Sequence, residues 1–275
     1  MNPPEKQRPR SIKHFTRCRE QRTSNHDLAG FWLATLKTAE CNSEINDQQQ
    51  CLEITKCPAE YVVGLYSTFA EKFDELLVNK LDYKTPAMLR RLLDTVDNGN
   101  GQGQKAPRKK WHTGVDLGCG TGLSGMAFRD IIEKMIGVDL SGEMLLRAKQ
   151  RCIYEDLILG DVSSAFINDG TVYDIVFACD VFVYIGDLTE VFDAVSKSLH
   201  TAGLFCFSTE SLEDDPAQYP RPFMLHSCAR FAHKQSYIEH LAQDYGFEIL
   251  RLQVAPIRKN QGKPVKGMLV ILRMK

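Results

Sequence analysis

Residues 113–125 read T-G-V-D-L-G-C-G-T-G-L-S-G. A short apolar run ends at Asp116, three glycines follow at every second position, and a helical spacing of apolar residues continues over residues 123–132. This pattern predicts a strand, a tight turn and a helix. Because glycine permits a positive φ and a close approach to the backbone, and because a helix begins with unpaired amides, we expect this turn to bind a nucleotide-like cofactor.

The glycine spacing alone is compatible with two kinds of cofactor. Gly120, Gly122 and Gly125 also spell G-x-G-x-x-G, which is the fingerprint of dinucleotide-binding turns. Asp116 favours a different ligand, because a carboxylate beside a pyrophosphate is electrostatically unfavourable. The same carboxylate would attract a cofactor that carries an ammonium and a sulfonium, as S-adenosylmethionine does.

Two further acids end the next predicted strands. Asp139 closes a strand at residues 135–140 and can accept hydrogen bonds from both hydroxyls of a ribose, in NAD or in S-adenosylmethionine alike. A third strand at residues 157–159 is followed by Asp161 and Val162. If the three strands are neighbours, this carboxylate and the Val162 amide lie where the edge of an adenine would be.

Four motifs in order resemble the class I S-adenosylmethionine-dependent methyltransferases: V-D-L-G-C-G-T-G from Val115, G-V-D-L-S from Gly137, G-D-V from Gly160 and Y-D-I-V-F-A-C-D from Tyr173. The chain is most similar to predicted small methyltransferases related to those with tetratricopeptide repeats. That likeness lies in L-Y-S-T-F-A-E-K-F-D-E-L-L-V from Leu65, D-V-F-V-Y-I-G-D-L from Asp180 and R-F-A-H from Arg230. The resemblance implies an α/β, Rossmann-like, seven-stranded sheet with helices on both faces and a helical N-terminal extension.

The residue pattern and the resemblance together predict the site. The predicted cofactor contacts are Tyr66, Asp116, Gly118, Cys119, Gly120, Asp139, Leu140, Met144, Asp161, Val162 and Asp180, and the predicted catalytic positions are Tyr184, Arg230 and His233.

The catalytic positions allow two interpretations. In the functional one, Arg230 holds an acidic group of a small substrate by a two-pronged hydrogen bond, while His233 or Tyr184 orients or deprotonates the nucleophile. In the structural one, Arg230 pairs with a surface acid such as Asp214, and His233 caps the following helix. Tyr66 is equally open, since its ring can cover the cofactor or simply pack in the core.

The C-terminal half predicts how the sheet ends. Further strands are expected at residues 174–179, 204–209, 247–255 and 267–273. The stretch 256–266 is too short for a helical crossover, so the last two strands should pair antiparallel. This arrangement favours a methyltransferase sheet over a dinucleotide dehydrogenase. Residues 210–229 are polar, rich in proline and long for a connection, which makes them a candidate substrate loop.

Composition predicts one catalytic domain with an extension. The chain has 275 residues, 43% hydrophobic and 25% charged, with a net charge of −1, so it lacks a global attraction to nucleic acid or to an anionic membrane. We expect the domain at residues 58–275 and a largely disordered or weakly helical extension at residues 1–57, whose Arg-rich start is open to a targeting role. Nine cysteines without zinc-site spacing indicate reduced thiols, no metal and a cytoplasmic protein.

Three functions are compatible with these observations. The preferred one is methyl transfer to a small-molecule acceptor, with S-adenosyl-L-methionine as the cofactor. The second is a protein or RNA methyltransferase that uses the basic N-terminus as a docking arm. The third is a cofactor-binding partner protein without catalysis.

Overall fold

A computed structural model describes residues 25–40, 54–67, 74, 83–97, 110–166, 171–260 and 262–275. The described α-helices are α1 (Asn25–Glu40), α2 (Ala59–Ser67), α3 (Thr85–Asp97), α4 (Leu123–Phe128), α5 (Gly142–Gln150), α6 (Thr189–Ser198) and α7 (Gln235–Asp244). The described strands are β1 (Trp111–Leu117), β2 (Ile132–Asp139), β3 (Asp156–Leu159), β4 (Tyr173–Ala178), β5 (Leu199–Leu212), β6 (Phe223–His226), β7 (Arg230–Lys234), β8 (Phe247–Asn260) and β9 (Lys263–Met274). Phe69, Phe73 and Leu76, which continue the helical spacing of apolar residues from Val62 and Tyr66, lie outside the described residues, as do residues 1–24 and 41–53 of the predicted extension.

The strands form one mixed sheet. Strands β3, β2, β1, β4 and β5 are parallel and lie in that order, β9 pairs antiparallel with β5, and β8 pairs antiparallel with β9. These seven strands confirm the predicted Rossmann-like sheet and its antiparallel C-terminal pair. The change of strand order between β1 and β4 opens a crevice at the carboxyl ends of the parallel strands, which is where ligands bind in such sheets.

Buried side chains alternate between the two faces of the sheet. In β4, Val176 and Ala178 join a hydrophobic cluster with α6 and α7, whereas Ile175 and Phe177 join a second cluster with α3 and α4. On the second face, Phe177 stacks on Phe128 with 4.3 Å between ring centroids. The sheet is therefore covered by helices on both faces, as predicted, and the central strand β4 is apolar because both of its sides are buried.

Three segments differ from the sequence-based prediction. The helix expected over residues 123–132 ends at Phe128, and Ile132 begins β2, because Trp111 of β1 pairs with Ile132 in the parallel register. The loop expected at residues 210–229 contains the end of β5 and all of β6, which pairs antiparallel with β7. The stretch expected to connect the last two strands contains their ends, since Asn260 pairs with Lys263.

Helix α1 packs on the domain through its aromatic side chains. The rings of Phe31 and Trp32 lie 4.8 and 5.3 Å from the ring of Tyr61 in α2. The same hydrophobic cluster includes Phe223 of β6 and Phe231 of β7. The division predicted between residues 57 and 58 stays a prediction, and this contact crosses it.

Candidate functional site

An open cavity lies at the carboxyl ends of β1, β2, β3 and β4. The turns that follow these strands form one side of it, at residues 118–124, 138–140, 160–162 and 179–185. Lys56, Cys57 and three residues of α2 form another side. Of the fourteen predicted residues, all but Asp116 and His233 line the cavity.

The glycine turn after β1 has the backbone that its sequence predicts. Gly118, Gly120 and Gly122 have φ values of 63°, 55° and 90°, which side chains of L-residues rarely allow. A Cβ on Gly118 would lie 2.5 Å from Cγ2 of Val181, so this glycine is required for packing. A Cβ on Gly120 would meet nothing within 4 Å. Gly120 therefore borders open space in the cavity, where a ligand can approach the backbone.

Asp139 is fixed at the end of β2 beside this turn. Its Oδ2 accepts a hydrogen bond from the Gly120 amide and its Oδ1 accepts one from the Ser141 amide, both at 2.8 Å. Burial raises the pKa of the carboxyl, although the amide hydrogen bonds oppose this shift. Leu140 and Met144, which follow in sequence, give this part of the cavity an apolar wall.

Asp116 lies behind the turn and does not line the cavity. Its Oδ2 accepts hydrogen bonds from the Ser124 hydroxyl at 2.7 Å and the Tyr154 hydroxyl at 2.6 Å. Its Oδ1 is buried and has no hydrogen-bond partner among the described residues. Burial raises the pKa of this carboxyl to about 7. Asp116 therefore supports the turn from within the core, and its predicted contact with a cofactor stays a prediction.

Asp161 lies at the end of the cavity formed by β3 and is paired with Lys56. The Lys56 ammonium contacts Asp161 Oδ2, and the Ser163 amide donates to Oδ1 at 3.1 Å. Partial burial opposes ionisation, but the hydrogen bonds from Lys56 and Ser163 outweigh it and lower the pKa of Asp161. Val162 also lines the cavity. Lys56 was not predicted, because nothing in the sequence around it carries a motif.

Aromatic hydroxyls line the end of the cavity formed by α2 and the turn after β4. The hydroxyl oxygens of Tyr66 and Tyr184 are 2.7 Å apart, and both residues line the cavity. Burial raises the pKa of Tyr66 well above its ordinary value, so its hydroxyl stays protonated. Tyr83, also missed from the sequence, lines the same end, and its pKa is raised for the same reason. The phenols of Tyr66 and Tyr83 can therefore form hydrogen bonds, but burial makes their ionisation unfavourable.

A group of two acids and two arginines completes this end, and all but Asp180 are buried. Asp180 follows β4 with a φ of 58°, which is unusual for a residue other than glycine. Its amide donates to the Ser208 hydroxyl oxygen at 2.8 Å, and its Oδ2 lies 3.8 Å from Nη1 of Arg258. Glu210 contacts Nη2 of Arg258 and lies 3.9 Å from Nη1 of Arg230. Arg230 thus faces a buried acid of β5 rather than Asp214, which bonds to Ser236 instead.

His233 is buried beside the cavity and does not line it. Its Nε2 lies 2.9 Å from the Ile185 carbonyl oxygen and 3.0 Å from that of Gly186, so Nε2 carries the proton and donates to both. Its Nδ1 then accepts from the Thr209 hydroxyl. Burial lowers the pKa of His233 to about 4. The imidazole is therefore neutral and holds the turn that follows Tyr184, and its geometry does not support the predicted proton transfer.

Comparisons with known proteins agree with the fold. Residues 115–207 match a family described as a methyltransferase domain. The malonyl-[acyl-carrier protein] O-methyltransferase of Yersinia pestis is 32% identical over 101 residues, which are 36% of this chain and 38% of that protein. The 18S rRNA (guanine-N(7))-methyltransferase of Bos taurus is 30% identical over 86 residues, which are 31% of each chain. The chain thus spans less than half of the length of the curated relatives it matches.

One solved structure with a similar fold contains two bound ligands. It is the 1,6-didemethyltoxoflavin-N1-methyltransferase of Burkholderia thailandensis, with 1,6-didemethyltoxoflavin and S-adenosylhomocysteine bound. The two chains are 14% identical with a TM-score of 0.56, and the match covers 80% of this chain and 91% of that one. At this identity the similarity establishes the fold alone.

Two other features are absent from the described residues, a membrane-spanning helix and a cluster of metal-binding side chains. No described helix has both the length and the apolar composition needed to span a membrane. Within the same residues, no three or more histidine, cysteine, aspartate or glutamate side chains are grouped so that they could hold a metal ion.

Proposed function

We propose that this chain, which carries a domain of the methyltransferase family, transfers a methyl group from S-adenosyl-L-methionine to a small-molecule acceptor. The observation that carries the proposal is the open space at Gly120, directly beside the Asp139 carboxylate, at the carboxyl ends of the parallel strands. A turn of this kind offers a ligand both its backbone and a hydrogen-bond acceptor, the Asp139 carboxylate. Several class I motifs of the sequence converge on it.

The residues that line the cavity fit S-adenosyl-L-methionine in their chemistry. Gly118 and Gly120 would pass against the amino acid portion, Asp139 would accept from the ribose hydroxyls, and Leu140 and Met144 would contact an apolar ring face. Asp161 and Val162 offer a carboxylate and a backbone amide to the edge of an adenine. When bound, the cofactor supplies a methyl group that its sulfonium already activates.

The chain's own contribution is to position the acceptor and exclude water. Tyr66, Tyr184 and Arg230 line the cavity next to Asp180, and we assign the acceptor to this end. Holding two reactants in line can contribute on the order of 7 to 11 kcal/mol. His233 takes part indirectly, because its hydrogen bonds to the Ile185 and Gly186 carbonyls hold the turn that carries Tyr184.

The test is a binding measurement with a matched pair of variants. By calorimetry, the parent should bind S-adenosylhomocysteine and not NAD. Asp139→Asn should weaken that binding about 10- to 150-fold, since a hydrogen bond to a charged group contributes about 1.5 to 3 kcal/mol. Asp156→Asn, at an exposed acid at the start of β3, is the control and should bind as the parent does. Tight NAD binding by the parent, or equal affinity in Asp139→Asn, would refute the assignment.

A nucleic-acid or protein acceptor is the alternative. It is supported by the likeness to an 18S rRNA methyltransferase and by the basic residues of the N-terminal stretch 1–24. Binding through such a stretch should weaken steeply with salt and be lost when residues 1–24 are deleted. A small acceptor should be methylated equally well by the full chain and the shortened one. Cofactor binding without methylation of any metabolite, protein or RNA would instead favour a partner protein without catalysis.

A further inference from the structure

Arg258 is a buried cation whose hydrogen-bonding capacity is only partly used. It comes from β8, is 5% exposed and lines the cavity. Its Nη2 contacts Glu210, but its Nε and Nη1 are buried without a hydrogen-bond partner among the described residues. Asp180 Oδ2 lies 3.8 Å from Nη1, which is too far for a hydrogen bond.

A buried guanidinium with unpaired donors is energetically unfavourable unless a ligand or water accepts their hydrogen bonds. A buried donor without a partner costs about 1 to 3 kcal/mol, and more when the group is charged. The guanidinium has five donors and no acceptor, so a ligand that pairs with it must offer hydrogen-bond acceptors. The cavity borders Arg258, Arg230 and Asp180 alike, so a molecule in the cavity has access to all three.

The surrounding residues hold the guanidinium groups in place. Oε1 of Glu210 contacts Arg258 and lies 3.9 Å from Nη1 of Arg230, so one carboxylate stands between the two cations. The Thr85 hydroxyl lies 3.1 Å from the Ile257 carbonyl oxygen and 3.2 Å from Asp180 Oδ2, which ties the start of α3 to β8 and to the end of β4. Side chains fixed in this way lose little further freedom when a ligand binds.

We propose that Arg258, together with Arg230, forms a subsite that binds a carboxylate of the methyl acceptor. This inference rests on the proposed function, because it places the carboxylate in the same cavity as the cofactor. A carboxylate is favoured over a phosphate because the two arginines are already balanced by Asp180 and Glu210. A single added negative charge is therefore less costly to bury than two.

The test uses straight-chain carboxylates from acetate to octanoate as probes, each compared with its primary amide. Inorganic phosphate forms a separate arm. The thermal midpoint of the protein saturated with S-adenosylhomocysteine is measured with each probe, and calorimetry then gives the dissociation constants. At least one carboxylate should raise the midpoint of the parent, and its amide should not. Arg258→Gln should abolish that shift and leave the affinity for S-adenosylhomocysteine within about twofold of the parent.

Two further variants keep the result interpretable. Lys259→Gln removes a neighbouring positive charge at an exposed position of the same strand and should respond as the parent does. If circular dichroism shows that Arg258→Gln is unfolded, Arg258→Lys is used, because it keeps the charge beside Glu210. Loss of the two-pronged geometry should still weaken carboxylate binding about tenfold in that variant.

The failures of the two proposals are distinguishable. If the parent does not bind S-adenosylhomocysteine, the proposed function fails. If it binds the cofactor product but no carboxylate stabilises it, if amides stabilise it equally, or if only phosphate does so, the subsite is refuted. Equal carboxylate binding in the parent and in folded Arg258→Gln would refute it as well, and would indicate that water satisfies the guanidinium.

Discussion

Replacing Gly120 by alanine should separate ligand binding from folding. Gly120 has a φ of 55° and open space where a Cβ would be, whereas Gly118 has a φ of 63° and would place its Cβ 2.5 Å from Val181 Cγ2. Both substitutions force an alanine into the left-handed region, which costs about 1 to 2 kcal/mol. Only Gly118→Ala adds a collision within the protein. Gly120→Ala instead adds a methyl group to the space assigned to the cofactor.

The expected magnitudes follow from these contacts. Gly120→Ala should lower the free energy of unfolding by about 1 to 2 kcal/mol, which corresponds to roughly 2 to 8 °C in Tm for a chain of this size. A methyl group forced against a bound ligand costs about 1 to 3 kcal/mol, so the affinity for S-adenosylhomocysteine should fall about 5- to 150-fold. Gly118→Ala should lose more stability than Gly120→Ala, because Val181 must move as well.

Urea unfolding and calorimetry on the same preparations provide the measurement. Gly142→Ala is the control, since Gly142 begins α5 with no positive φ and no atom within 4 Å of an added Cβ. It should keep the parent's affinity and be as stable or slightly more stable. A folded Gly120→Ala protein with the parent's affinity would refute the reasoning, because the open space would then not be where the cofactor binds.

Two further predictions concern the N-terminal segment and pH. Deleting residues 1–56 removes Phe31 and Trp32 from the hydrophobic cluster and removes Lys56 from its contact with Asp161. Compared with the protein that lacks only residues 1–24, this shorter protein should be less stable in urea unfolding and should bind S-adenosylhomocysteine more weakly in calorimetry. Equal stability and affinity of the two shortened proteins would contradict this. Burial raises the pKa of Asp116 from 3.8 to about 7, so the stability contributed by its protonated form is complete below about pH 4 and is lost as pH rises through 7. Between pH 5 and 7 the free energy of unfolding of the parent should fall by about 2 kcal/mol relative to Asp116→Asn, measured by urea titration at each pH, and a constant difference would contradict the prediction.

The parallel core of the sheet could be predicted because its signals are local. A β-branched run that ends in an acid, followed by glycines, produces the turn at Gly118 and Gly120 wherever it occurs, since the backbone conformation depends on those residues themselves. Asp139 and Asp161 were found for the same reason, because each directly follows an apolar strand. Their meeting in one cavity required only that neighbouring parallel strands end at the same edge.

The residues that the sequence missed are those whose neighbours are distant in the chain. Ile257 and Arg258 are adjacent in β8 and both buried, because an irregularity between Pro256 and Arg258 interrupts the alternation of the strand. Alternation therefore could not identify Arg258 as a residue of the cavity. Lys56 lies 105 residues from Asp161, and no local pattern links them.

The sequence by itself determined the Rossmann-like sheet, the glycine turn and the acids at the strand ends, because each depends on residues close together in the chain. Only the tertiary structure decided what those side chains face. Asp116 turned away from the cavity to Ser124 and Tyr154, and His233 turned to the carbonyls of Ile185 and Gly186. Arg258 and Glu210 met beside Asp180 because β8 and β5 both pair with β9. Burial and the pairing of strands, rather than residue type, decided which groups these side chains contact.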